Sequence, residues 1–249
     1  MSAALDPAAA AALVTVDCGN STIDCLRHVD GARARLRRDQ ADQLATFFAG
    51  AGRIVAVSVV PDALATVREV AGRLGVALAC AGVDVPCPLR IAYATPETLG
   101  ADRWVACVAA HREAGRAIVV DCGTATTVNL VEDDGSFVGG PIAPGLRAFE
   151  LGLLAATPAL PTPRLDAAPT ALPRSTQEAV DAGVLLGYAG LVERLVAGAI
   201  AAARVSATVF LTGGNAERFA RHARLRAIRA PDLVHRGLRL LAGGSPCAS

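Results

Sequence analysis

The chain has 249 residues, 53% hydrophobic and 19% charged, which indicates a globular protein of one large domain or two lobes rather than a disordered one. Its net charge is +1, so charge alone gives no case for nucleic acid or an anionic membrane as a partner. All 24 basic residues are arginine, which excludes every mechanism that needs a lysine, including a phosphate-loop lysine or a Schiff base.

Signals for export or membrane insertion are not found in the sequence. The first basic residue is Arg27, so the positive stretch that opens a secretory signal is missing. No uninterrupted apolar run reaches the roughly 18 residues of a membrane span. The seven cysteines form no C-x-x-C pair, and Cys18 and Cys122 lie in apolar runs typical of small buried thiols. We therefore expect a cytoplasmic protein with reduced cysteines and no membrane association.

The first half of the chain alternates strand-like and helix-like segments. Apolar runs rich in β-branched residues predict strands, at residues 13–16 and 53–60, and a further apolar segment runs through Leu26. Helical patterns predict three helices, at residues 41–48, 62–74 and 96–113. Asp62 follows a proline and is predicted to cap the second of these helices.

The second half continues this alternation. Strands are predicted at residues 117–120, 126–131 and 208–211, and helices at residues 175–204 and 231–241. Asp133–Gly135 has the composition of a hairpin turn leading into Phe137 and Val138. The proline-rich stretch 158–173 is predicted to be a non-helical connection. Strands that alternate with helices indicate an α/β protein.

One unit of sequence occurs twice. A strand followed by Asp-Cys-Gly, a polar residue and a second strand begins at Asp17 and again at Asp121. A repeat at about a hundred residues suggests two similar lobes. We place them at residues 13–115, with the first repeated turn, and 116–245, with the second turn and long apolar helices.

The repeated turns have the chemistry of a phosphate site. Glycine allows the backbone to bend and approach a ligand closely, which leaves amides and small hydroxyls free for phosphate oxygens. An aspartate at the strand end can hold a metal ion against those phosphates. One copy is weak support, because Asp, Gly, Asn and Ser are also ordinary turn residues. Two equivalent copies, with a third glycine turn at residues 212–215, favour a phosphate or nucleoside site.

Several motifs in order resemble one family. They lie at residues 17–21, 100–103, 121–127, 139–145 and 153–161, and continue through Ser175-Thr176, Gly183, Gly187 and the turn at 212–214. The first and third are similar to the two phosphate motifs, and Gly100-Ala101-Asp102-Arg103 to the Gly-x-Asp-Arg signature, of type III pantothenate kinases. That family is a branch of the actin and sugar-kinase superfamily, and the resemblance covers nearly the whole chain.

The resemblance implies a fold, a reaction and partners. The fold would be α/β with two ribonuclease-H-like lobes, whose mixed sheets are flanked by helices. The reaction would be ATP-dependent phosphorylation of pantothenate to 4′-phosphopantothenate, the first step toward coenzyme A. Magnesium and a monovalent cation, potassium or ammonium, are implied, as is a homodimer with the substrate site near its interface. A bound monovalent ion could neutralise phosphate charge in a chain without lysine.

The family pattern also implies roles for individual residues. Asp102 would be the general base on the substrate hydroxyl, although positioning and charge neutralisation do most of the work in phosphoryl transfer. The implied ATP and phosphate ligands are Asp17, Cys18, Gly19, Asn20, Ser21, Thr22, Ile23, Asp24 and Thr124. The implied pantothenate contacts are Tyr93, Gly100, Ala101, Asp102, Arg103 and, from the neighbouring subunit, Thr176. Asp121 would bind the monovalent cation, and Asp17 would lie near magnesium.

Ordinary structural explanations exist for the same residues. An aspartate at a helix start, such as Asp102, interacts favourably with free amides, and an arginine on a helix, such as Arg103, is often merely solvated. Tyr93 fits simple packing equally well, and either Ser175 or Thr176 fits a helix N-cap. The surrounding motif favours the functional interpretation for Asp102.

The chain departs from the family pattern at two points. Ser21 stands where threonine is commoner, which keeps the hydroxyl group. Pro173-Arg174 precedes Ser175 where the family often has a glycine, which bears on the geometry of the substrate-side loop.

Rival functions are a sugar kinase of the same superfamily, a non-catalytic regulator and an actin-like filament protein. The segment at 100–103 argues against the first and third, and the regulator predicts a lost motif where none is lost. The four histidines lack metal-ligand spacing. The arginine-rich stretches 33–38 and 218–229 are predicted to be solvated faces rather than a nucleic-acid site.

Overall fold

The computed structural model describes residues 12–204 and 206–243; residues 1–11, where no export signal is expected, lie outside this part. The strands are β1 (Leu13–Cys18), β2 (Ile23–Arg27), β3 (Arg33–Leu36), β4 (Arg53–Ser58), β5 (Ala77–Cys80), β6 (Arg90–Ile91), β7 (Ala117–Cys122), β8 (Ala125–Val131), β9 (Ser136–Gly139), β10 (Ile142–Pro144), β11 (Thr208–Thr212) and β12 (Ile228–Arg229). The α-helices are α1 (Ala41–Phe48), α2 (Pro61–Arg73), α3 (Ala101–Ala114), α4 (Leu146–Ala156), α5 (Thr176–Ala203), α6 (Ala216–His222) and α7 (Leu233–Ala242).

The described chain divides into two compact units. The first unit contains residues 12–113, 133–137 and 232–243, and the second contains 114–132, 138–204 and 206–231. The predicted lobes, 13–115 and 116–245, differ from these units at two places. Within residues 133–137, Ser136 and Phe137 pair with β6, and α7 packs on β1 and β4. Both segments therefore group with the first unit although they come late in the chain.

The first unit is built on a five-stranded sheet in the order β3-β2-β1-β4-β5. β1 pairs antiparallel with β2 and parallel with β4. Alternate side chains of each strand point to opposite faces of a sheet. On one face, Val14, Val16 and Cys18 join the buried cluster that includes residues of α1 and α2. The opposite face carries Thr15 and Asp17 and is the side that α7 covers.

The second unit repeats this frame. β7 pairs antiparallel with β8 and parallel with β11, which in turn pairs with β12. β10 adds to the other edge of β8. The buried cluster on this sheet includes residues of α4, α5 and α6. Each unit therefore has a central strand with an antiparallel partner joined by an Asp-Cys-Gly turn and a parallel partner, which bears out the predicted repeat.

Most predicted elements are found, with two corrections. Asp62 does not cap α2: Val60 is the N-cap and Pro61 the first helical residue, which leaves Asp62 in the first turn. The helix predicted over 96–113 is divided, because Leu99 has an extended backbone that ends a short 3-10 turn at Pro96–Thr98. The α-helix begins only at Ala101, so the Gly-x-Asp-Arg segment lies at a helix start.

Helix α5 is unusually long and apolar. Among the described residues it is the helix that is long and apolar enough, by length and composition, to cross a membrane. A core helix of a soluble protein passes the same test, and Val184, Tyr188 and Val192 of α5 are buried in the core of the second unit. The helix also buries Asp181, which is paired with Arg164. A third of the most apolar 18-residue window of α5 is buried, and these contacts attach the helix to the core of the second unit.

Candidate active site

The first Asp-Cys-Gly turn joins β1 to β2. Asp17 is half-buried near the end of β1, and Asn20 and Ser21 are exposed. The backbone N–H of Gly19 donates to the carbonyl of Thr22 over 3.0 Å, which closes the turn. The turn therefore presents a carboxylate, an amide and two hydroxyls at one end of the sheet, the set of groups that the sequence predicted for phosphate.

The side chains of three residues of the predicted phosphate loop are buried or held by other residues, and the predicted contact of these residues with ATP stays a prediction. The side chains of Cys18 and Ile23 are fully buried in the core cluster of the first sheet. Asp24 lies on β2 opposite Asp17, and its carboxylate accepts hydrogen bonds from arginines. Asp17 and residues 20–22 carry the polar side chains of the turn itself, and their predicted contact with phosphate also stays a prediction.

Asp24 is the centre of a polar cluster on the α7 face of the first sheet. Arg33 donates to both carboxylate oxygens over 2.8 and 2.7 Å, and Arg35 donates to one of them over 3.1 and 2.8 Å. His235 Nε2 lies 3.5 Å from the carboxylate. Burial alone would raise the pKa of Asp24, but hydrogen bonds from His235, Arg33 and Arg35 outweigh it and hold the pKa well below its usual range. The stretch predicted as a solvated face thus contributes two ion pairs.

His28 and His235 extend this cluster on the face of β1 that α7 covers. The hydroxyl of Thr15 lies 2.9 Å from His28 Nε2 and 2.9 Å from His235 Nδ1. Burial lowers the pKa of His28 to about 4, and nearby Arg239 and His235 add to the effect. His28 is therefore neutral at physiological pH, and the cluster joins α7 to the sheet by hydrogen bonds as well as by packing.

The second Asp-Cys-Gly turn is enclosed by two other segments of its unit. Asn215 donates from its backbone to the carbonyl of Cys122 over 2.9 Å and from its side chain to that of Gly123 over 3.3 Å. Gly213 has φ +93°, and a Cβ there would lie 2.3 Å from Asp121 Oδ1. A Cβ on Gly145 would lie 2.4 Å from the carbonyl oxygens of Gly123 and Thr124. Only glycine fits at these two positions.

Tyr188 supports the second turn from α5. Its buried hydroxyl lies 2.7 Å from the hydroxyl of Thr126, and its ring meets Phe219 edge-on with centroids 6.2 Å apart. Burial raises the pKa of Tyr188 above its ordinary value and that of Cys122 to about 12. Tyr188 was not predicted from the sequence as a residue of this site. The one sequence feature that could have drawn attention to Tyr188 is the rarity of tyrosine, since the chain has only two.

The oxygens around the second turn suit a hard cation. Asp121 supplies a carboxylate, which lies close to Gly213, and the carbonyl oxygens of Gly123 and Thr124 lie close to Gly145. Carboxylate and carbonyl oxygens are the ligands of hard cations, and magnesium is commonly held by one or two carboxylates together with substrate phosphates. Within the described residues no group of three or more His, Cys, Asp or Glu side chains could hold a metal by itself. An ion at Asp121 or Asp17 would therefore need backbone or phosphate oxygens to complete its coordination.

Asp102 lies in the first turn of α3. Its Oδ1 accepts a hydrogen bond from the backbone N–H of Arg103 over 2.9 Å. Burial raises the pKa of Asp102, and this hydrogen bond and the charge of Arg103 only partly offset it. A Cβ on Gly100 would lie 2.7 Å from the same carboxylate oxygen. Ala101 packs close to Gly82. The glycine in the Gly-x-Asp-Arg segment thus makes room for the aspartate.

Arg103 is not a solvated helix arginine. It is only 7% exposed, and its Cζ lies 5.7 Å from the ring centroid of Tyr93 and 5.9 Å from that of Phe137. The two rings are 6.5 Å apart and tilted by 58°. Tyr93 and Arg103, predicted separately as substrate contacts, are therefore neighbours. Phe137 was seen in the sequence only as part of a strand.

The start of α5 separates the roles of Ser175 and Thr176. Ser175 is the N-cap, and its hydroxyl accepts a hydrogen bond from the backbone N–H of Glu178 over 3.3 Å. Glu178 in turn accepts from the backbone of Arg174 over 2.8 Å. Thr176 is the first helical residue and is exposed. Of the two alternatives, Ser175 is therefore the cap, and the hydroxyl of Thr176 is not needed for it.

Structural comparisons agree on the fold. A Campylobacter jejuni protein described as a Baf family transcriptional activator is 22% identical, with a TM-score of 0.64 over 92% of this chain and 96% of its own. A ROK family glucokinase from Streptomyces griseus, solved with glucose and AMPPNP, is 12% identical, with a TM-score of 0.51 over 94% of this chain and 99% of its own. At these identities the likeness concerns the fold alone, and it confirms the predicted actin and sugar-kinase class.

Sequence comparisons are more specific. Residues 13–198 match the family described as type III pantothenate kinase. A type III pantothenate kinase of Rhizorhabdus wittichii is 35% identical over 92% of this chain and 96% of its own length. Another from Dehalococcoides mccartyi is 32% identical over 94% and 96%. With the two Asp-Cys-Gly turns and the Gly-x-Asp-Arg helix start in place, this chain belongs to the type III pantothenate kinase family.

Proposed function

We propose that this protein transfers the γ-phosphoryl group of ATP to the primary hydroxyl of pantothenate, which gives ADP and 4′-phosphopantothenate, the first step toward coenzyme A. The observation that carries the proposal is Asp102: a carboxylate with a raised pKa, at a helix start, inside the family's signature segment. A base whose pKa lies closer to neutral than that of an ordinary aspartate is better matched to accepting a proton at physiological pH.

The reaction needs one bond formed and one broken. The hydroxyl oxygen of pantothenate attacks the γ-phosphorus, the bond from that phosphorus to the β,γ-bridging oxygen breaks, and ADP leaves with the bond electrons. The hydroxyl proton passes to the carboxylate of Asp102. Since the transition state is largely dissociative, the main contribution of Asp102 is to aim the hydroxyl along the line of attack.

The two turns are proposed to bind ATP. Asp17 and residues 19–22 offer a carboxylate, an amide and hydroxyls to its phosphates, and Thr124 offers a further contact from the second turn. Asp17 would lie near magnesium, and Asp121 would bind a monovalent cation, potassium or ammonium. When bound, these ions would neutralise phosphate charge in a chain that has no lysine.

The substrate is proposed to bind beside Asp102. Arg103 suits the carboxylate of pantothenate, and Tyr93, Gly100 and Ala101 would line the same place. Thr176 is proposed to reach the substrate of the other protomer in a homodimer. Its exposure at the start of α5 supports this role, because the hydroxyl is not used as the helix cap.

We place the reaction in the cytoplasm. Five of the described cysteines are buried and carry free thiols: Cys18, Cys25, Cys80, Cys107 and Cys122. Unpaired thiols are typical of a reducing compartment. Burial raises the pKa of the Cys18 thiol to about 12, so this residue next to the first turn remains a protonated, unreactive thiol.

The experiment is an assay of the purified protein with ATP, magnesium, potassium and pantothenate, in which ADP release is followed and the product is identified by mass. The wild type should turn over only with potassium or ammonium present. Asp102→Asn should lower kcat by about 10² to 10⁴-fold. The matched control is Asp62→Asn, an exposed first-turn aspartate of α2, which should leave kcat unchanged.

The same assay separates the rival functions. Phosphorylation of a hexose in place of pantothenate would mean a sugar kinase of the superfamily. ATP hydrolysis that is independent of pantothenate would indicate an actin-like protein. If no product forms with either cation, the kinase proposal fails, and a non-catalytic regulator becomes the better hypothesis.

A further inference from the structure

A row of charged side chains crosses the first sheet beside the first Asp-Cys-Gly turn. Asp17 on β1 lies opposite Asp24 on β2, and Asp24 lies opposite Arg35 on β3. Directly opposed residues of antiparallel strands project from the same face of the sheet, with Cβ atoms about 4.5–5.5 Å apart. The carboxylate of Asp17 therefore shares one face of the sheet with a guanidinium group that β3 carries.

Arg33 and Arg35 bring positive charge to this row. Arg33 donates to both carboxylate oxygens of Asp24, and Arg35 donates to one of them. Two guanidinium groups against one carboxylate leave a unit of positive charge in this group of three. The hydrogen bond to Asp24 is the main cause that raises the pKa of Arg33, and the charge of Asp17 adds to it. The positive charge is thus close enough to act on the turn.

The first turn itself supplies no positive charge. Residues 17–22 contain an aspartate and no arginine, and the chain has no lysine. In phosphoryl-transfer sites, metal ions together with lysine or arginine neutralise the phosphate charge. On the face that carries Asp17, the paired strands β1, β2 and β3 include two arginines, Arg33 and Arg35. These two residues therefore provide, on this face, the type of charge that a nucleoside triphosphate needs.

The bonds to Asp24 fix the guanidinium group of Arg35 along one edge. Asp24 accepts from Nε and Nη2 of Arg35 over 3.1 and 2.8 Å. The guanidinium group is planar, and its other edge, which contains Nη1, is not used by these bonds. An arginine edge with two N–H donors binds a phosphate by two parallel hydrogen bonds. The side chain of Arg35 is 51% exposed, so a ligand from solvent can reach it.

We propose that Arg35 is a phosphate-binding residue of the ATP site, that Arg33 adds positive charge to this site, and that Asp24 positions both arginines. The inference rests on the proposed function, because it takes the first turn as the place where the ATP phosphates bind. An arginine held by a carboxylate before the nucleotide arrives loses less conformational freedom on binding than a freely solvated arginine.

The test measures the dissociation constant of ATP by calorimetry, with magnesium present and pantothenate absent. Arg35→Gln removes the charge and the N–H edge and should weaken ATP binding about tenfold. Arg35→Lys keeps the charge without the planar edge and should weaken binding about threefold. Arg33→Gln should also weaken binding about threefold, because it removes charge only. In the kinetic assay, Arg35→Gln should change the KM for pantothenate less than about twofold.

The matched control is Arg27→Gln. Arg27 lies on β2 of the same sheet and donates to Asp30 over 2.8–3.1 Å, but it is opposite Val14, at the end of the strand away from the turn. This variant should bind ATP like the wild type. An equal loss of ATP binding in Arg27→Gln and Arg35→Gln would assign the effect to the stability of the sheet and would overturn the inference.

The outcomes separate this inference from the proposed function. If both Arg35 variants bind ATP as tightly as the wild type, the inference fails, and the proposed function stands as long as the wild type phosphorylates pantothenate. If ATP binding depends on Arg35 but pantothenate is not phosphorylated, the proposed function fails and the phosphate-binding role of Arg35 is supported. A wild type that binds no ATP would overturn both.

Discussion

The two Asp-Cys-Gly turns occupy equivalent places in their sheets but are stabilised differently. In the first unit the residue opposite Asp17 is Asp24, which is surrounded by Arg33, Arg35 and His235. In the second unit the residue opposite Asp121 is Thr127, which has no charge. The first turn therefore stands beside a charged cluster, whereas the second is enclosed by close backbone packing.

The glycines show the same contrast. A Cβ on Gly19 would come no closer than 3.5 Å to the carbonyl of Thr22, an ordinary contact. Cβ atoms on Gly213 or Gly145 would lie within 2.4 Å of atoms of the second turn. The same backbone frame is thus stabilised in two ways. Charged side chains pair beside the first turn, whereas at the second turn glycines allow other backbone segments to pack closely. The difference can be tested one residue at a time.

The largest expected effect follows from a methyl group at the second turn. Gly213→Ala places a Cβ 2.3 Å from Asp121 Oδ1 at a backbone angle of φ +93° that favours glycine. We expect the free energy of unfolding to fall by about 3 kcal/mol or more, measured by urea denaturation. Gly19→Ala should cost less than about 1 kcal/mol, because its Cβ meets only an ordinary contact. Equal losses in the two variants would contradict the contrast between the turns.

The next effect concerns the charge cluster of the first turn. Asp24→Asn leaves Arg33 and Arg35 without their carboxylate and should lower the free energy of unfolding by about 2–3 kcal/mol. This is less than the about 3–5 kcal/mol typical of fully buried pairs, because both arginines are partly exposed. The matched change at the second turn is Thr127→Val, which removes only the hydroxyl that accepts from Asn129 and should cost about 1 kcal/mol.

The Asp24 effect should also depend on pH. The folded-state pKa of Asp24 lies below its unfolded value of about 3.9, so its stabilising contribution is complete above that value and is lost as the pH falls toward the folded-state pKa. The gap in stability between wild type and Asp24→Asn should therefore be constant from pH 7 to 5 and narrow below about pH 4. A gap that widens on acidification would show that the carboxylate is not held by these partners.

A smaller effect is expected from the support beneath the second turn. Tyr188→Phe removes a hydroxyl that lies 2.7 Å from Thr126, which should cost about 1 kcal/mol and raise the KM for ATP about threefold. Thr157→Val removes a comparable hydroxyl bond, from Thr157 to the carbonyl of Leu153, at the end of α4. This control should lower stability similarly without changing the KM for ATP. A KM change in both variants would mean that general destabilisation, not the turn, is responsible.

The turns themselves were predictable because their signals are local. A short apolar run, an aspartate and a glycine occur together in the sequence, and two copies predict a repeated frame that the strand pairing of β1 and β7 confirms. The helix start at Asp102 was predicted a few residues early, since the extended backbone of Leu99 is not signalled by the residues around it. The helix α4 was missed because its apolar residues follow directly on a glycine motif.

The partners of the turns were not predictable, because they depend on register and on distant segments. Asp24 meets Arg35 only because β2 and β3 pair in one register, and it meets His235 only because α7 returns to the first sheet. Phe137 lies near Arg103 in a region where β6 and β9 pair over only two residues, a pairing that has almost no signal in the sequence. Side-chain roles that are set by tertiary contacts must therefore be found in the structure.

The smallest expected change in stability is a gain. Replacing Asp102 should stabilise the protein slightly, whereas replacing Asp24, in the same unit, should destabilise it. Burial raises the pKa of Asp102, so ionisation of this carboxylate weakens folding as the pH rises above the unfolded value of about 3.9. Asp102→Asn should then unfold at slightly higher urea concentration than the wild type at pH 7, with no gain at pH 3.5, while its activity is lost.

The same carboxylate should set the acidic limb of the rate profile. If Asp102 must be ionised to accept the proton, kcat/KM of the wild type should fall on acidification at a pH above the ordinary aspartate value of about 3.9. Asp62→Asn should keep the wild-type profile, since Asp62 is an exposed residue of α2. A loss of stability at pH 7 in Asp102→Asn, as large as that expected for Asp24→Asn, would instead make Asp102 a structural residue of the α3 start.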